Sequence, residues 1–233
     1  IRDLPEADRL LASISIGSLV LVKYLHEQQG CKFIPNTSSY CSEAARTGQL
    51  HILMFLHENK FHWDVTTTAY AARGDHLNCL QYAHEQGCPW NEATTSCAAR
   101  CGHLNCLRYA HEQGCPWNKE TTRYAASEGH LNCLQYAHEH GCRWDEFSTW
   151  SAAREGHLNC LQYAHEHGCP WDKFITWSAA RQGHLDCLQY AHRHGCPWDG
   201  EAARHASING HLDCLQYCKD NGCTLQSTYI YHY

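Results

Sequence analysis

The sequence predicts an all-α solenoid built from about eight stacked αα-hairpins. Three observations support this prediction: a motif that recurs every 27 residues, helical spacing of the apolar residues inside each copy, and capping residues at the helix ends. A unit of this size buries its apolar face only against the neighbouring copies. We therefore expect the 233 residues to form a linear array of repeats.

The recurring motif is clearest at Gly102–Trp117, which reads GHLNCLRYAHEQGCPW. Its first histidine is His103, and other copies place a histidine at the same point, each 27 residues from the next: His76, His130, His157, His184 and His211. Gln49 takes this place one step earlier, and Ser18 stands 31 residues before Gln49, which indicates an insertion near Gln29–Pro35. We expect the repeat array to span 17–223, preceded by a helix or the end of another region at 1–16 and followed by a partial repeat at 224–233.

The second helix of each copy follows from its apolar spacing. Leu104, Leu107 and Ala110 recur three residues apart, which places them on one face of a helix. Gly114 supplies the left-handed position that ends such a helix, and Pro116 prevents its continuation.

The first helix of each copy follows from its capping residue. Asn118 and the equivalent Asp145, Asp172 and Asp199 are residue types that accept a hydrogen bond from the first turn of a helix. The helix Lys119–Ser127 then contains the small pair Ala125 and Ala126, which lets the two helices approach closely.

The end of the first helix and the start of the second resemble the ankyrin repeat. The family pattern Ala-Ala-x-x-Gly-His-Leu matches Ala98–Leu104, and its closing glycine matches Gly114. Two features differ: the segment Ala93–Ser96 replaces the family's Thr-Pro-Leu-His, and the copies lack six residues after Asn118, where the family builds its β-hairpin finger. This short form resembles the ankyrin arrays of giant viruses and their protist hosts.

The recurring cysteines and histidines allow four interpretations. The first interpretation is a set of disulfides, which need Cα atoms within about 7 Å. Cys106 and Cys115 lie about 13 Å apart along a helix. Equivalent cysteines of neighbouring copies lie about 10 Å apart, so regular disulfides are not expected. His103 and Cys106 could share a zinc ion, but His111 lies too far away to complete a tetrahedral site within one copy, so zinc would have to be shared between copies. A catalytic Cys–His pair would not be copied in every unit.

The fourth interpretation, core packing, is the one we favour. Cys106 takes the place of a small buried hydrophobic residue, His103 bonds backbone at the turn between the helices, and Trp117 packs at the junction with its indole N–H on a carbonyl. Cys97 and Cys101 share a helical turn in one copy only. We expect no catalytic residues, no resident metal and no cofactor.

The copies differ mainly on their first helices, where function is expected to lie. Phe147 with Trp150, and Phe174 with Trp177, are spaced to form an aromatic patch across two copies, with Arg123 and Arg204 on the flanking copies. Aromatic residues surrounded by arginine are typical of protein interfaces. The alternative is that the rings fill the space left by the missing fingers. The hydroxyls of Ser151 and Ser178 beside the rings are expected to face solvent.

These features predict a non-enzymatic scaffold that binds a protein partner on the concave face formed by the first helices. The alternatives are a structural protein that self-associates end to end through uncapped repeats and a zinc-loaded structural array. The net charge of −6 argues against a nucleic-acid partner, and no apolar run is long enough to span a membrane. We expect an intracellular, cytoplasmic protein of a protist or a virus-infected host cell.

A second set of histidines recurs in the second helices: His57, His84, His111, His138, His165 and His192. If both sets of rings are buried and neutral, burial lowers their pKa in the folded chain. The array should then loosen between roughly pH 6.5 and 5.

Overall fold

The helices of the computed structural model form the predicted stacked αα-hairpins. The structure describes residues 6–28 and 39–223, which contain 16 α-helices and no β-strand. The helices are α1 (Glu6–Ser15), α2 (Leu19–Gln28), α3 (Ser39–Arg46), α4 (Leu50–Glu58), α5 (Val65–Arg73), α6 (Leu77–Glu85), α7 (Glu92–Arg100), α8 (Leu104–Glu112), α9 (Lys119–Ser127), α10 (Leu131–Glu139), α11 (Glu146–Glu155), α12 (Leu158–Glu166), α13 (Lys173–Gln182), α14 (Leu185–Arg193), α15 (Gly200–Ile208) and α16 (Leu212–Asp220).

The chain divides into two compact units, Ile1–Thr121 and Thr122–Tyr233, with the boundary inside α9. In the first unit, α1, α3, α5 and α7 pack side by side as one layer, and α2, α4, α6 and α8 form a second layer. The second unit repeats this plan, with α11, α13 and α15 in one layer and α10, α12, α14 and α16 in the other. The predicted partial repeat at 224–233 lies outside the described residues.

The first helices begin at the predicted capping residues. The Asp145 carboxylate accepts a hydrogen bond from the backbone N–H of Phe147 at 3.1 Å. Such a bond satisfies one of the N–H groups that have no partner within the helix. The same cap recurs at Asp64, Asn91, Asn118, Asp172 and Asp199.

The core is made of small first-helix residues packed against leucine and cysteine of the second helices. Ala152 and Ala153 of α11 are fully buried, and so are Cys160 and Leu161 of α12. Cys106, predicted to replace a buried hydrophobic residue, is also fully buried. The alanine pair allows close approach of the helices, and the leucine supplies the apolar area whose burial stabilises the stack.

Two polar contacts close the hairpins α5–α6, α7–α8, α11–α12 and α13–α14 at the end remote from the turn. The Cys169 thiol donates to the backbone carbonyl of Asp145 at 3.2 Å, and the Thr149 hydroxyl donates to the carbonyl of Pro170 at 2.7 Å. The thiol contact recurs between Cys88 and Asp64, Cys115 and Asn91, Cys196 and Asp172, and Cys223 and Asp199. The second cysteine of the motif thus ties the end of one helix to the start of its partner.

The histidine at the start of each second helix fits against the preceding hairpin. His103 Nε2 lies 3.0 Å from the carbonyl oxygen of Arg73, which confirms the predicted bond to backbone. In the second unit the ring of His184 lies over Gly156, where an added Cβ would be 2.5 Å from His184 Nδ1. Gly156 also has φ 81, a conformation that only glycine adopts readily.

This close approach predicts different costs for two glycines of similar backbone conformation. Gly168 has φ 79, but an added Cβ there meets no atom within 4 Å. Gly168→Ala should lower the free energy of unfolding by roughly 1–2 kcal/mol, the penalty for the left-handed conformation. Gly156→Ala should lose about 1–3 kcal/mol more, because the His184 ring must also move. Denaturant unfolding measures both, and equal losses would contradict the packing of His184 on Gly156.

Candidate functional site

The four aromatic residues singled out in the sequence lie on the adjacent helices α11 and α13. Phe147 and Trp150 meet edge to face with ring centroids 6.3 Å apart, and Phe174 and Trp177 do so at 4.9 Å. Phe147 is 44% exposed and Phe174 49% exposed, whereas both tryptophans are half-buried. The phenylalanine rings therefore present apolar surface to solvent.

Cationic side chains lie over three of these four rings. The Arg123 guanidinium is 5.4 Å from the centre of Phe147, and the Arg154 guanidinium is 5.2 Å from the centre of Trp150. Lys173 Nζ is 4.6 Å from the centre of Trp177. All three distances fall within the range of a cation–π contact. We call these four rings with Arg123, Arg154 and Lys173 the aromatic–cationic surface.

Arg204 lies on α15, which packs against α13, and its guanidinium pairs with Glu201 of its own helix at 3.0 Å. The prediction that Ser151 faces solvent is wrong, because Ser151 is buried with 4% of its surface exposed. Arg154 and Lys173 were not singled out, although each lies three or four residues from an aromatic residue of its own helix and so on the same side.

Trp177 is held in place by the next hairpin. Its indole N–H donates to the Asp199 carboxylate at 2.7 Å, and Lys173 Nζ lies 3.5 Å from the same carboxylate. Asp199 also caps α15. Trp177 therefore contributes to the stack as well as to the surface, whereas Phe174 beside it is half-exposed.

A second recurring cluster joins neighbouring hairpins within each unit on the second-helix layer. The His165 ring stacks on Trp171 at 3.7 Å, and its Nδ1 lies 2.9 Å from the hydroxyl of Tyr190 in the following hairpin. We call this the His–Trp–Tyr joint. It recurs as His57, Trp63 and Tyr82; His84, Trp90 and Tyr109; His138, Trp144 and Tyr163; and His192, Trp198 and Tyr217.

The joint gives the recurring tryptophan a ring partner that the sequence analysis did not name. In each of these joints the indole stacks on a histidine six residues earlier. The sequence carries a signal for this contact, because histidine and tryptophan recur together at that spacing in six copies. The tyrosine partner lies 25 residues after the histidine.

The joint histidines are half-buried, and burial lowers the pKa of three of them. The pKa of His57 is lowered first by desolvation and then by Lys60, with Glu58 acting in the opposite direction. Desolvation likewise lowers the pKa of His138 and His165. The nearby rings of His167 and His194 lower these two pKa values further, while Glu139 and Glu166 raise them. We therefore expect acid sensitivity from these three joint histidines.

The recurring cysteines are not arranged as a metal centre. Within residues 6–28 and 39–223, no group of three or more histidine, cysteine or acidic side chains is placed to hold a metal ion. Burial raises the pKa of Cys106 to about 12, with the Asp75 carboxylate adding to the rise. A thiol with this pKa stays protonated at neutral pH and is a poor nucleophile and metal ligand. Over the same residues, no helix is long and apolar enough to cross a membrane.

The stacked hairpins resemble a solved structure. No protein-family model and no curated protein sequence matches this chain. The crystal structure of the human ASB11 ankyrin repeat domain is similar, with a TM-score of 0.57 over 69% of this chain and 84% of that chain. The fold is that of an ankyrin repeat domain. The two sequences are 19% identical, so the similarity concerns the ankyrin fold and confirms the resemblance read from Ala98–Leu104 at that level.

Lowered histidine pKa values predict that mild acid destabilises this ankyrin fold. The unfolded chain, with histidine pKa near 6.5, binds protons that His57, His138 and His165 do not yet bind when folded. Stability is therefore fully present above about pH 6.5 and is lost as the pH falls through that value towards the folded pKa. We expect the melting temperature to fall between about pH 7.5 and 5.5.

The repeats themselves suggest a control for this acid sensitivity. Earlier copies carry Gln86 and Gln113 where later ones carry His140, His167 and His194. His167→Gln with His194→Gln removes the like charges that lower the pKa of His138 and His165, and should make the melting temperature less dependent on pH. A melting temperature that is flat or rises towards pH 5.5 in the unsubstituted chain would contradict the lowered histidine pKa values of the folded chain.

Proposed function

We propose that this chain is a non-enzymatic scaffold that binds a protein partner through the aromatic–cationic surface of its second unit. One observation carries the proposal: two phenylalanines lie about half-exposed, beside half-buried tryptophans, on helices whose other residues pack the stack. Aromatic and arginine side chains supply most of the binding energy in many protein interfaces.

The other copies support a role for these rings outside the stack. The position of Phe147 and Phe174 is occupied by Thr66, Ala93 and Glu120 in other copies, all of which have a helix there. Polar or small residues thus satisfy the fold at this position. The rings of α11 and α13 therefore add something that the packing of a hairpin does not need.

The charges around the rings indicate the chemistry of the partner. Arg123, Arg154 and Lys173 place positive charge over three of the rings, and α13 carries Lys173 and Arg181 but no acidic residue. A complementary segment would offer apolar side chains to Phe147 and Phe174 and carboxylates to the cations. We propose a partner segment with mixed acidic and apolar side chains.

An intracellular, cytoplasmic location also belongs to this proposal. The described cysteines are free thiols, which suits a reducing compartment. The protist or infected-host setting remains a prediction from the short repeat form.

Replacing the two exposed phenylalanines tests the proposal most cleanly. Phe147→Ala with Phe174→Ala introduces alanine, the residue that another copy has at this position as Ala93. The melting temperature should therefore change by only a few degrees. Peptides selected by the unsubstituted chain from a displayed random library should be rich in acidic and apolar residues. We expect them to bind the double variant at least about tenfold more weakly, a loss of about 1.4 kcal/mol.

The tryptophans are less suitable targets than the phenylalanines. Trp177→Ala removes the hydrogen bond to Asp199, so the double variant of Trp150 and Trp177 should lose stability as well as binding.

Unchanged peptide binding by the phenylalanine double variant would refute the proposal. A large fall in its melting temperature would assign the rings to packing instead.

A second candidate, self-association, rests on a different observation. In the first unit, Val20 is 78% exposed, with Ile16 and Tyr24 also exposed; in the second unit, Leu212 is 71% exposed and Ile208 66%. Apolar surface of this kind is usual where a further repeat would stack. Val20→Glu with Leu212→Glu should abolish any increase of the sedimentation coefficient with protein concentration and should leave peptide binding intact. The phenylalanine double variant should show the reverse.

A further inference from the structure

Two cysteines differ from all the others that the structure describes. Cys97 and Cys101 are half-buried, whereas the remaining cysteines of residues 39–223 are buried. They also lie outside the recurring pattern. Other copies place Tyr70, Tyr124, Ser151, Ser178 and His205 at the position of Cys97, and Gly74, Glu128, Glu155, Gln182 and Asn209 at that of Cys101. The hairpin therefore does not need a thiol at either place.

The backbone puts these two thiols on one side of the same helical turn. Cys97 lies in the last turn of α7, and Cys101 is the residue that ends this helix. The backbone N–H of Cys101 donates to the carbonyl of Cys97 at 3.1 Å, which is the hydrogen bond of an α-helical turn. Residues four apart in such a turn have Cβ atoms about 5–6 Å apart, so one ion can bridge the two sulfur atoms.

Two arginines supply positive charge to this pair. Arg100 precedes Cys101, and Arg73 ends α5, the helix that packs against α7 in the first unit. Burial raises the pKa of the Cys97 thiol and the Cys101 thiol adds to the rise, while the guanidiniums of Arg73 and Arg100 act in the opposite direction. The two guanidiniums therefore favour negative charge at this site.

We propose that Cys97 and Cys101 bind one copper(I) ion as a two-coordinate dithiolate. Each thiol releases its proton to solvent, two copper–sulfur bonds form, and no atom changes its oxidation state. The product carries one net negative charge, which Arg73 and Arg100 offset. Thiolates select copper(I) among other soft ions, and two ligands suffice for it. Tetrahedral zinc needs further ligands, and among the described residues no third one completes a group.

Competition with a chromophoric copper(I) chelator under anaerobic conditions tests this site. The full chain would carry Cys31→Ser, because Cys31 lies outside the described residues. We expect the reduced protein to retain one equivalent of copper(I). Cys97→Ser, Cys101→Ser and the double variant should retain none, with unchanged helical circular dichroism, since Ser151 and Ser178 show that serine is tolerated at the position of Cys97. Retention of the same amount by the double variant, or no retention by the parent chain, would overturn the proposal.

The arginines provide a matched pair of charge controls. Arg46 occupies the position of Arg73 one copy earlier, where it pairs with Glu43 at 2.7 Å in α3. Arg73→Gln should weaken copper(I) binding several-fold, and Arg46→Gln, the same change of charge, should leave it unaltered. Equal effects of the two substitutions would show that the complex does not depend on local positive charge, and would contradict the anionic dithiolate.

Discussion

Within each unit of this protein, the described hairpins depend on their neighbours to cover their apolar faces. Leu161 and Cys160 of α12 are fully buried although the hairpin that carries them is only two short helices. Small alanines bring the first helices together, and leucines fill the layer behind them. The His–Trp–Tyr joint adds a directional contact to this non-directional packing, because its hydrogen bond and ring stack fix how one hairpin sits on the next.

Placing the joint on the second helices leaves the first helices able to vary. Contacts that set the stack use positions that are nearly the same in every copy, such as His165 and Tyr190. The exposed positions of α11 and α13 then accept Phe147 and Phe174 without loss of the repeat. The same freedom accounts for Cys97 and Cys101 on α7, where other copies carry unrelated residues. The His–Trp–Tyr joints and the candidate sites are thus on different layers of the same hairpins.

Much of the fold could be predicted from the sequence because its determinants are local and repeated. The caps at Asp145 and Asp172 involve a backbone N–H two residues away, and the helix-start histidine bonds backbone of the preceding hairpin as expected. Repetition turns each of these weak signals into a strong one. The same repetition identified the first helices as the place where the copies differ.

The rest could not be predicted because its partners are distant in the sequence or are set by side-chain conformation. Trp177 finds Asp199, 22 residues away, and His165 finds Tyr190, 25 residues away. Arg204 bonds to Glu201 three positions earlier on its helix, whereas Arg123 lies over Phe147 although Glu120 stands at the same spacing before it. The half-burial of the joint histidines likewise depends on rings contributed by two hairpins.

A double-mutant cycle between His165 and Tyr190 tests most directly whether the joint couples neighbouring hairpins. The free energy of unfolding would be measured for the parent chain, for His165→Ala, for Tyr190→Phe and for the two combined. If the joint couples the two hairpins, we expect a coupling energy of about 0.5–3 kcal/mol, as for residues in direct contact. Losses that add to within about 0.3 kcal/mol would contradict it, because the two side chains would then stabilise the fold independently.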